Sequence, residues 1–343
     1  MKNIVRPVYR KILRFFSDLR IIFIGIIGYY NDDYGSNIVN RKIDYNFDGN
    51  EIDVSIIFST SEGICIFDNK NNISKQILIG HSYGITKSNN YWFVQRTVNR
   101  DKGVSKDERV SNIVKFKIIN FSVEDLSTII FGWRREIHQI DFIGKNLYLP
   151  YTGYNQILIY DLNKNIFKKL AGFHREKIEL DIFEPSHLNS IYSDDQYIYV
   201  IAHNLTAKTN RFSDLIIYDR KTKKINICNL HAHSAHNVIK INESLYYCDS
   251  NNKDLYCNQE TIFSADKLLR GLSFTDDYIF VGGSDIDFVE DKRKSSDCTI
   301  YILKKNGHQI GQIDFPGLGN IYEIRQLNGV DYSLSNWRNF ANK

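Results

Sequence analysis

HLNSIYSDDQYIYVIAHN (residues 187–204), followed closely by DLIIYDRKTKKINIC (residues 214–228), decides how this chain is read. A polar start leads into an apolar run of strand length, a short polar turn at Asp194-Asp195, and an aromatic run. A third run then ends in Tyr218-Asp219, and a fourth follows a basic turn. Apolar runs of this length joined by Asp- and Asn-rich pairs are hairpin chemistry, so the whole phrase describes one antiparallel meander.

The phrase recurs. HQIDFIGKNLYLPYTGYNQILIYDLNKNIFKKL starts at His138 and HNVIKINESLYYCDSNNKDLYCNQETIF at His236, while weaker copies begin at His81 (HSYGITKSNNYWFVQRTV) and Arg270 (RGLSFTDDYIFVGGSD). The turn position is filled by Gly144-Lys145, Asn242-Glu243 and Asp276-Asp277. A repeating meander buries its faces on its neighbours, and radial repetition hides most strand edges. Residues 53–79 hold part of a further unit, and NIYEIRQLNGVDYSLSN (320–336) supplies two more strands; pairing the two would close a ring. The expected fold is all-β, a six-bladed β-propeller over residues 50–336 with an amino-terminal amphipathic helix. Five or seven blades are the alternatives, because the copy over 81–132 is ragged. The polar inserts Asn99–Glu108 and Asp285–Asp297 read as loops.

Residues 1–34 are of another kind. Lys2, Arg6, Arg10, Lys11, Arg14 and Arg20 interleave with Val8, Ile12, Phe15, Leu19 and Ile22 at helical spacing. IIFIGIIGYY (21–30) is shorter than the roughly 20 apolar residues a membrane span needs, and no secretory cleavage pattern follows. Residues 1–30 are therefore expected to lie on an anionic membrane surface; the alternative is packing on the propeller. Five scattered cysteines without a CxxC pair suit a reducing compartment, so a cytoplasmic location, peripheral on the inner membrane, is expected. The 44 basic and 40 acidic residues leave a net charge of +4, too little for nucleic acid to be an expected partner.

Blades run outward from the axis, so residues at the start of each copy converge on the channel. They are Tyr83 and Gly84, Glu136 and His138, His187 and Asn189, His233 with His236 and Asn237, Arg270, and Asn320 with Glu323. His138, His187, His236 and Arg270 are the candidate catalytic groups, with His187 or His138 as base and Arg270 for an anionic substrate group. Tyr83, Asn189, Asn237 and His233 are the candidate substrate contacts. Imidazoles with carboxylates suit a divalent transition metal such as zinc or manganese, although the spacing HAHSAH (His231, His233, His236) matches no local metal signature. The alternative is that each His satisfies backbone groups at the channel.

HLNSIYSDDQYIYV, HSAHNVIKINESLYYCDS, RGLSFTDDYIFVGGS and IYILKKNGHQIGQIDFPGLGNIYEIRQL resemble a bacterial family of conserved hypothetical propellers, over about residues 135–327. The blades of that family open with His-Leu-Asn-Gly, His-Ser-Pro-Arg and Arg-Gly-Leu. Ser190 stands here for its Gly and Ala235-His236 for its Pro-Arg, so the resemblance implies the fold and no activity. HLNSIYSDDQYIYVIAH is more distantly similar to calcium-dependent six-bladed lactonases of the gluconolactonase and paraoxonase type, where the Asn at the position of Asn189 binds calcium. That resemblance implies Asn189, Asn237, Asp249 and Glu323 as oxygen ligands of a cation that polarises an ester carbonyl.

Two functions follow as expectations. The first is a hydrolase or lyase acting on a small polar or sugar-like substrate at the channel mouth, through His and a divalent metal (calcium, zinc or manganese). The second is a non-catalytic scaffold that binds a protein or glycan partner at the membrane surface. No Gly-x-Ser-x-Gly, Walker, Rossmann or HExxH pattern is present, which argues against nucleophile-elbow, nucleotide-cleaving and zincin chemistry.

Overall fold

Each copy of the meander folds as one antiparallel sheet whose inner strands, such as Gly63–Asp68 and Tyr197–Ala202, are buried on both faces, and only neighbouring sheets supply that cover. A computed structural model describes residues 39–40, 43–47, 52–98, 109–134, 137–171, 186–285 and 296–340. The expected helix of residues 1–34, the insert Asn99–Glu108, most of the insert after Asp285, and Glu136 lie outside the described residues. None of the described helices is long and apolar enough to cross a membrane.

Six sheets stand around an axis. Blade 1 contains Ser55–Thr60, Gly63–Asp68 and Ile73–Ile79, with the distant strand Ile321–Gln326 innermost. Blade 2 runs from Ser82–Ser88 to Ser122–Arg134, blade 3 from Asp141–Ile143 to Ile166–Lys169, and blade 4 from Leu188–Ser193 to Ile225–Asn229. Blade 5 runs from Ala235–Ile241 to Glu260–Ser264, and blade 6 from Leu268–Phe274 to Gln309–Phe315. Val39–Asn40 and Asp44–Phe47 add a fifth, outermost strand to blades 1 and 6. The innermost strands touch in the cyclic order 1-2-3-4-5-6-1, so the ring is closed, and the composite blade does close it: Ile324 pairs with Phe58 and Gln326 with Ile56.

A hydroxyl staples each blade to the innermost strand of the next or, in blade 3, to the segment that leads into it. Ser59 donates to Tyr83 O, Ser111 accepts from Ile137 N (3.0 Å), and Thr152 donates to Leu188 O (2.7 Å). Ser213 accepts from Ala235 N (2.9 Å), Ser250 donates to Leu269 O (2.8 Å), and Ser284 accepts from Ile321 N (2.9 Å). These bonds satisfy backbone groups where the ladder stops at the channel. Between them, apolar clusters fill every blade junction. Phe58, Ile300 and Phe315 join blades 1 and 6, Ile57, Ile85 and Trp92 join 1 and 2, and Phe93, Phe142 and Leu147 join 2 and 3. At about 1.5–3 kcal/mol for each fully buried large side chain, these junctions dominate the stability of the ring. Outer strands such as Ile166–Lys169 and Ile225–Asn229 are largely exposed.

The channel is shut at one end by the segment after the closing strand. Asp331 accepts from Gln326 N (2.8 Å), and Ser335 Oγ accepts from Ser193 N (2.7 Å) and donates to Asp141 (2.5 Å). Asn336 Nδ2 donates to Lys87 O (2.9 Å) and Tyr332 N to Phe274 O (3.0 Å). The segment thereby touches blades 1, 2, 3, 4 and 6 at the ends of their innermost strands. Behind it, the fully buried Arg325 reaches Ile85 O, Leu272 O and Ser333 Oγ and pairs with Glu323 at 2.7 Å.

Candidate functional site

The opposite end of the channel, the mouth, is built by breaks in strand register. In five blades the innermost strand gains residues relative to its partner near its start: between Ser82 and Ile85, Leu188 and Ser190, His236 and Ile239, Leu269 and Leu272, and Ile321 and Glu323. A bulge re-aims the side chains it carries, and these five carry Tyr83, Asn189, Asn237, Arg270 and Tyr322. Asn237, at φ 57°, and His187, at φ 45°, adopt the left-handed region, which Asn tolerates better than His. Blades 2 and 3 meet closely at Gly84, where a Cβ would lie 2.6 Å from Ile140 N and 2.7 Å from His138 O.

The side chains so placed form a chain of ring contacts around the mouth. Tyr322 lies 4.5 Å from Tyr83, Tyr83 stacks on His138 at 4.6 Å, and His138 meets His187 at 4.9 Å. His187 meets His203 at 5.2 Å and His203 meets His236 at 5.4 Å. Arg270 lies over Tyr322 at 5.9 Å, and His81 packs on both Tyr83 and Tyr322. Of the residues expected at the mouth, Tyr83, His138, His187, His236 and Arg270 stand together in this arc. His203, His81 and Tyr322 join it and were not among the expected site residues.

Burial, with Arg270 and the neighbouring imidazoles, holds His203 and His236 well below the ordinary imidazole range, so both are neutral at pH 7. His236 Nδ1 lies 2.6 Å from Ser234 O and 2.9 Å from Ser250 Oγ, whose own proton goes to Leu269 O. A carbonyl only accepts, so Nδ1 carries the proton and Nε2 is left as the basic nitrogen. Nδ1 of His203 is buried and makes no hydrogen bond to the described residues.

The remaining expected residues have other work. His233 packs on Phe212 at 4.6 Å, beside His231, outside the arc. Asn320 ties the closing strand to blade 1, with its backbone bonded to Ser61 in both directions. The expected cation ligands do not fit a metal. Asn189 donates to Ala235 O and its Oδ1 accepts from Ser190 (2.9 Å); Asn237 Oδ1 accepts from Gly271 N (2.8 Å). Asp249 accepts from the backbone of His233, Asn251 and Asn252. Glu323 is buried against Arg325 and Asn237, and burial pushes its carboxyl up to about 8 despite Arg325. Their oxygens are already taken by hydrogen bonds within and between blades, and among the described residues no three His, Cys, Asp or Glu are grouped to hold a metal ion. Among the described residues no disulfide forms, and Cys65, Cys248 and Cys298 are buried as core.

No protein-family model and no curated protein matches the sequence. Among solved structures the chain is similar to a chain of a nidogen/laminin complex, with 9% identity over 79% of this chain and 97% of that one, at a TM-score of 0.57. It is also similar to regucalcin, a calcium-binding protein from Agrobacterium tumefaciens (8% identity, 67% and 73% covered, TM-score 0.46). A third similar structure is a luciferin-regenerating enzyme (11% identity, 70% and 94% covered, TM-score 0.43). Likeness at this level is likeness of fold: the chain is a six-bladed β-propeller, and its chemistry rests with the side chains at the mouth.

Proposed function

We propose that the chain is an enzyme of the hydrolase or lyase kind, acting on a small polar, sugar-like substrate at the channel mouth by imidazole acid–base catalysis. The observation that supports this most is the fixed tautomer of His236. Its Nδ1 proton is held by Ser234 O and Ser250, and its basic Nε2 belongs to a desolvated ring kept neutral at pH 7. A neutral, oriented imidazole is what general-base catalysis needs. His236 Nε2 takes a proton from substrate or attacking water, and the imidazolium so formed returns it to the leaving oxygen. Arg270 stabilises the negative charge that develops on the substrate between these steps.

The test is turnover of sugar lactones, sugar-acid esters and uronate oligosaccharides by the full chain. His236→Gln should lower kcat by about 10²–10⁴ while the fold is kept. The acid limb of the native kcat/KM profile should lie below the ordinary imidazole range, because His236 stays neutral to lower pH. Unchanged turnover in His236→Gln, or no turnover of any of these substrates, would overturn the assignment.

A further inference from the structure

His203 is a ring of the mouth that the fold itself does not use. Among the described residues no hydrogen bond ends on its imidazole, and of its two nitrogens only Nδ1 is buried without a partner, so Nε2 is the one open to the mouth. The backbone around it is nonetheless firmly held. Its N–H donates to His187 O (3.2 Å), its carbonyl accepts from Thr206 Oγ1 (3.1 Å), and the next N–H donates to Ser186 O (3.0 Å). Asn204 then turns the chain away at φ 60°, with its side-chain amide on Phe212 O (2.7 Å) and Asp214 (2.9 Å). The ring stands edge-on between His187 at 5.2 Å and His236 at 5.4 Å. A polar ring fixed this well, with no partner inside the fold, calls for one from outside the chain.

The position of its proton follows from burial. Burial keeps both His203 and His236 neutral at pH 7, and a neutral imidazole carries one N–H and one lone pair. On the buried Nδ1 of His203 the proton would be an orphaned N–H, the rarer and costlier way to leave a buried group, so it belongs on Nε2. His236 is the reverse, with its proton on Nδ1 and its lone pair on Nε2. Two neighbouring rings, 5.4 Å apart between centres, thereby present one donor and one acceptor to the mouth. That pair is complementary to a single oxygen that both accepts and gives a hydrogen, which is a water or a hydroxyl.

We propose that His203 is a second catalytic residue, whose Nε2–H holds the attacking water while His236 Nε2 takes its proton. This rests on the reading of His236 as the base. The water accepts from His203 with one lone pair and attacks the substrate carbonyl carbon with the other. Its O–H bond to His236 breaks, the proton passes to Nε2, and the new carbon–oxygen bond forms as the carbonyl π pair moves onto oxygen. His203 keeps its own proton throughout, so it orients the water and does not shuttle protons. A carbon acid, as in elimination, has no lone pair for the His203 donor. The pair therefore selects hydrolysis of an ester or lactone over lyase chemistry.

The first measurement needs no substrate: nitrogen NMR of the full chain with labelled histidine at pH 7, the signals assigned by their loss in His203→Gln and His236→Gln. His203 should be protonated on Nε2 and His236 on Nδ1. The second is turnover of sugar lactones and sugar-acid esters. His203→Leu should lower kcat by about 10²–10³ with KM little changed, the ordinary cost of removing one oriented donor. His203→Gln, whose amide can donate from near the place of Nε2, should recover much of that loss. A proton on Nδ1 of His203 in a chain that turns these substrates over would overturn this proposal alone. So would equal loss in the Leu and Gln variants, or a loss confined to KM. The expected tautomers without turnover of any ester or lactone would instead remove His236 as base, and the role of His203 with it.

Discussion

Replacing Gly84 by Ala tests how tightly the ring is registered. The added Cβ would lie 2.6 Å from Ile140 N, 2.7 Å from His138 O and 2.8 Å from Gln139 Cα, all backbone of blade 3. No flexible side-chain tip can move aside, so blade 3 must withdraw by about 0.7 Å to restore ordinary contact. Blade 3 is held there by Ser111 Oγ on Ile137 N (3.0 Å) and by Gln139, which donates to Asn189 O (3.2 Å) and accepts from Ile191 N (3.0 Å). Overpacking costs about 1–3 kcal/mol and each weakened buried bond about 1 more, so Gly84→Ala should destabilise the fold by about 2–4 kcal/mol. The assay is urea unfolding at pH 7, read as a lower midpoint at unchanged slope. Gly144→Ala is the control: Gly144 has φ +64° and nothing near its absent Cβ, so it carries the dihedral cost of about 1 kcal/mol alone. A Gly84→Ala midpoint equal to the native one, or no worse than that of Gly144→Ala, would refute the close contact of blades 2 and 3.

Two further outcomes are expected. Glu323 has a folded-state pKa of about 8, raised by burial above its ordinary 4.5, so the native state keeps a proton that the unfolded chain releases. Its contribution is full below pH 4.5 and is lost as pH rises toward 8, each pH step costing up to about 1.4 kcal/mol; Glu323→Gln should flatten the profile of stability against pH over that window, and an unchanged slope would contradict the assignment. Ser335→Ala leaves the buried Ser193 N–H without its acceptor and removes a bond to Asp141, and should lower stability by about 2–3 kcal/mol in thermal or urea unfolding. A loss below about 0.5 kcal/mol would mean that the closing segment does not seal the channel.

The blades were legible because their signals are local. Strand alternation and turn pairs such as Asn242-Glu243 act over a few residues, and five copies in phase left the two half-blades at the chain ends to pair with each other. The site was legible in part. Position in the repeat pointed to Tyr83, His138, His187, His236 and Arg270. His203 escaped because it follows the second strand of blade 4 and reaches the mouth only through the pairing of its N–H with His187 O. Its place after IYVIA, directly opposite the blade start, was the available signal. Tyr322 escaped because the bulge between Ile321 and Glu323 breaks the alternation that selected its neighbour.

By itself, then, the order of residues determined the meander unit, its turns and which end of each faces the axis, since these depend on side-chain period and turn chemistry within a single unit, while five, six or seven blades stayed open. Only the closed ring decided which polar groups are spent as braces and which remain for chemistry. Asn189, Asn237 and Glu323 read as ligands in one dimension, yet Asn189 is spent on Ala235 O, Asn237 on Gly271 N, and Glu323 accepts from Asn237 of another blade. The shutting of one end by Asp331–Asn339 was hidden for the same reason. A short polar segment carries no pattern of its own, and it becomes a plug only where the inner strands of five blades end around it.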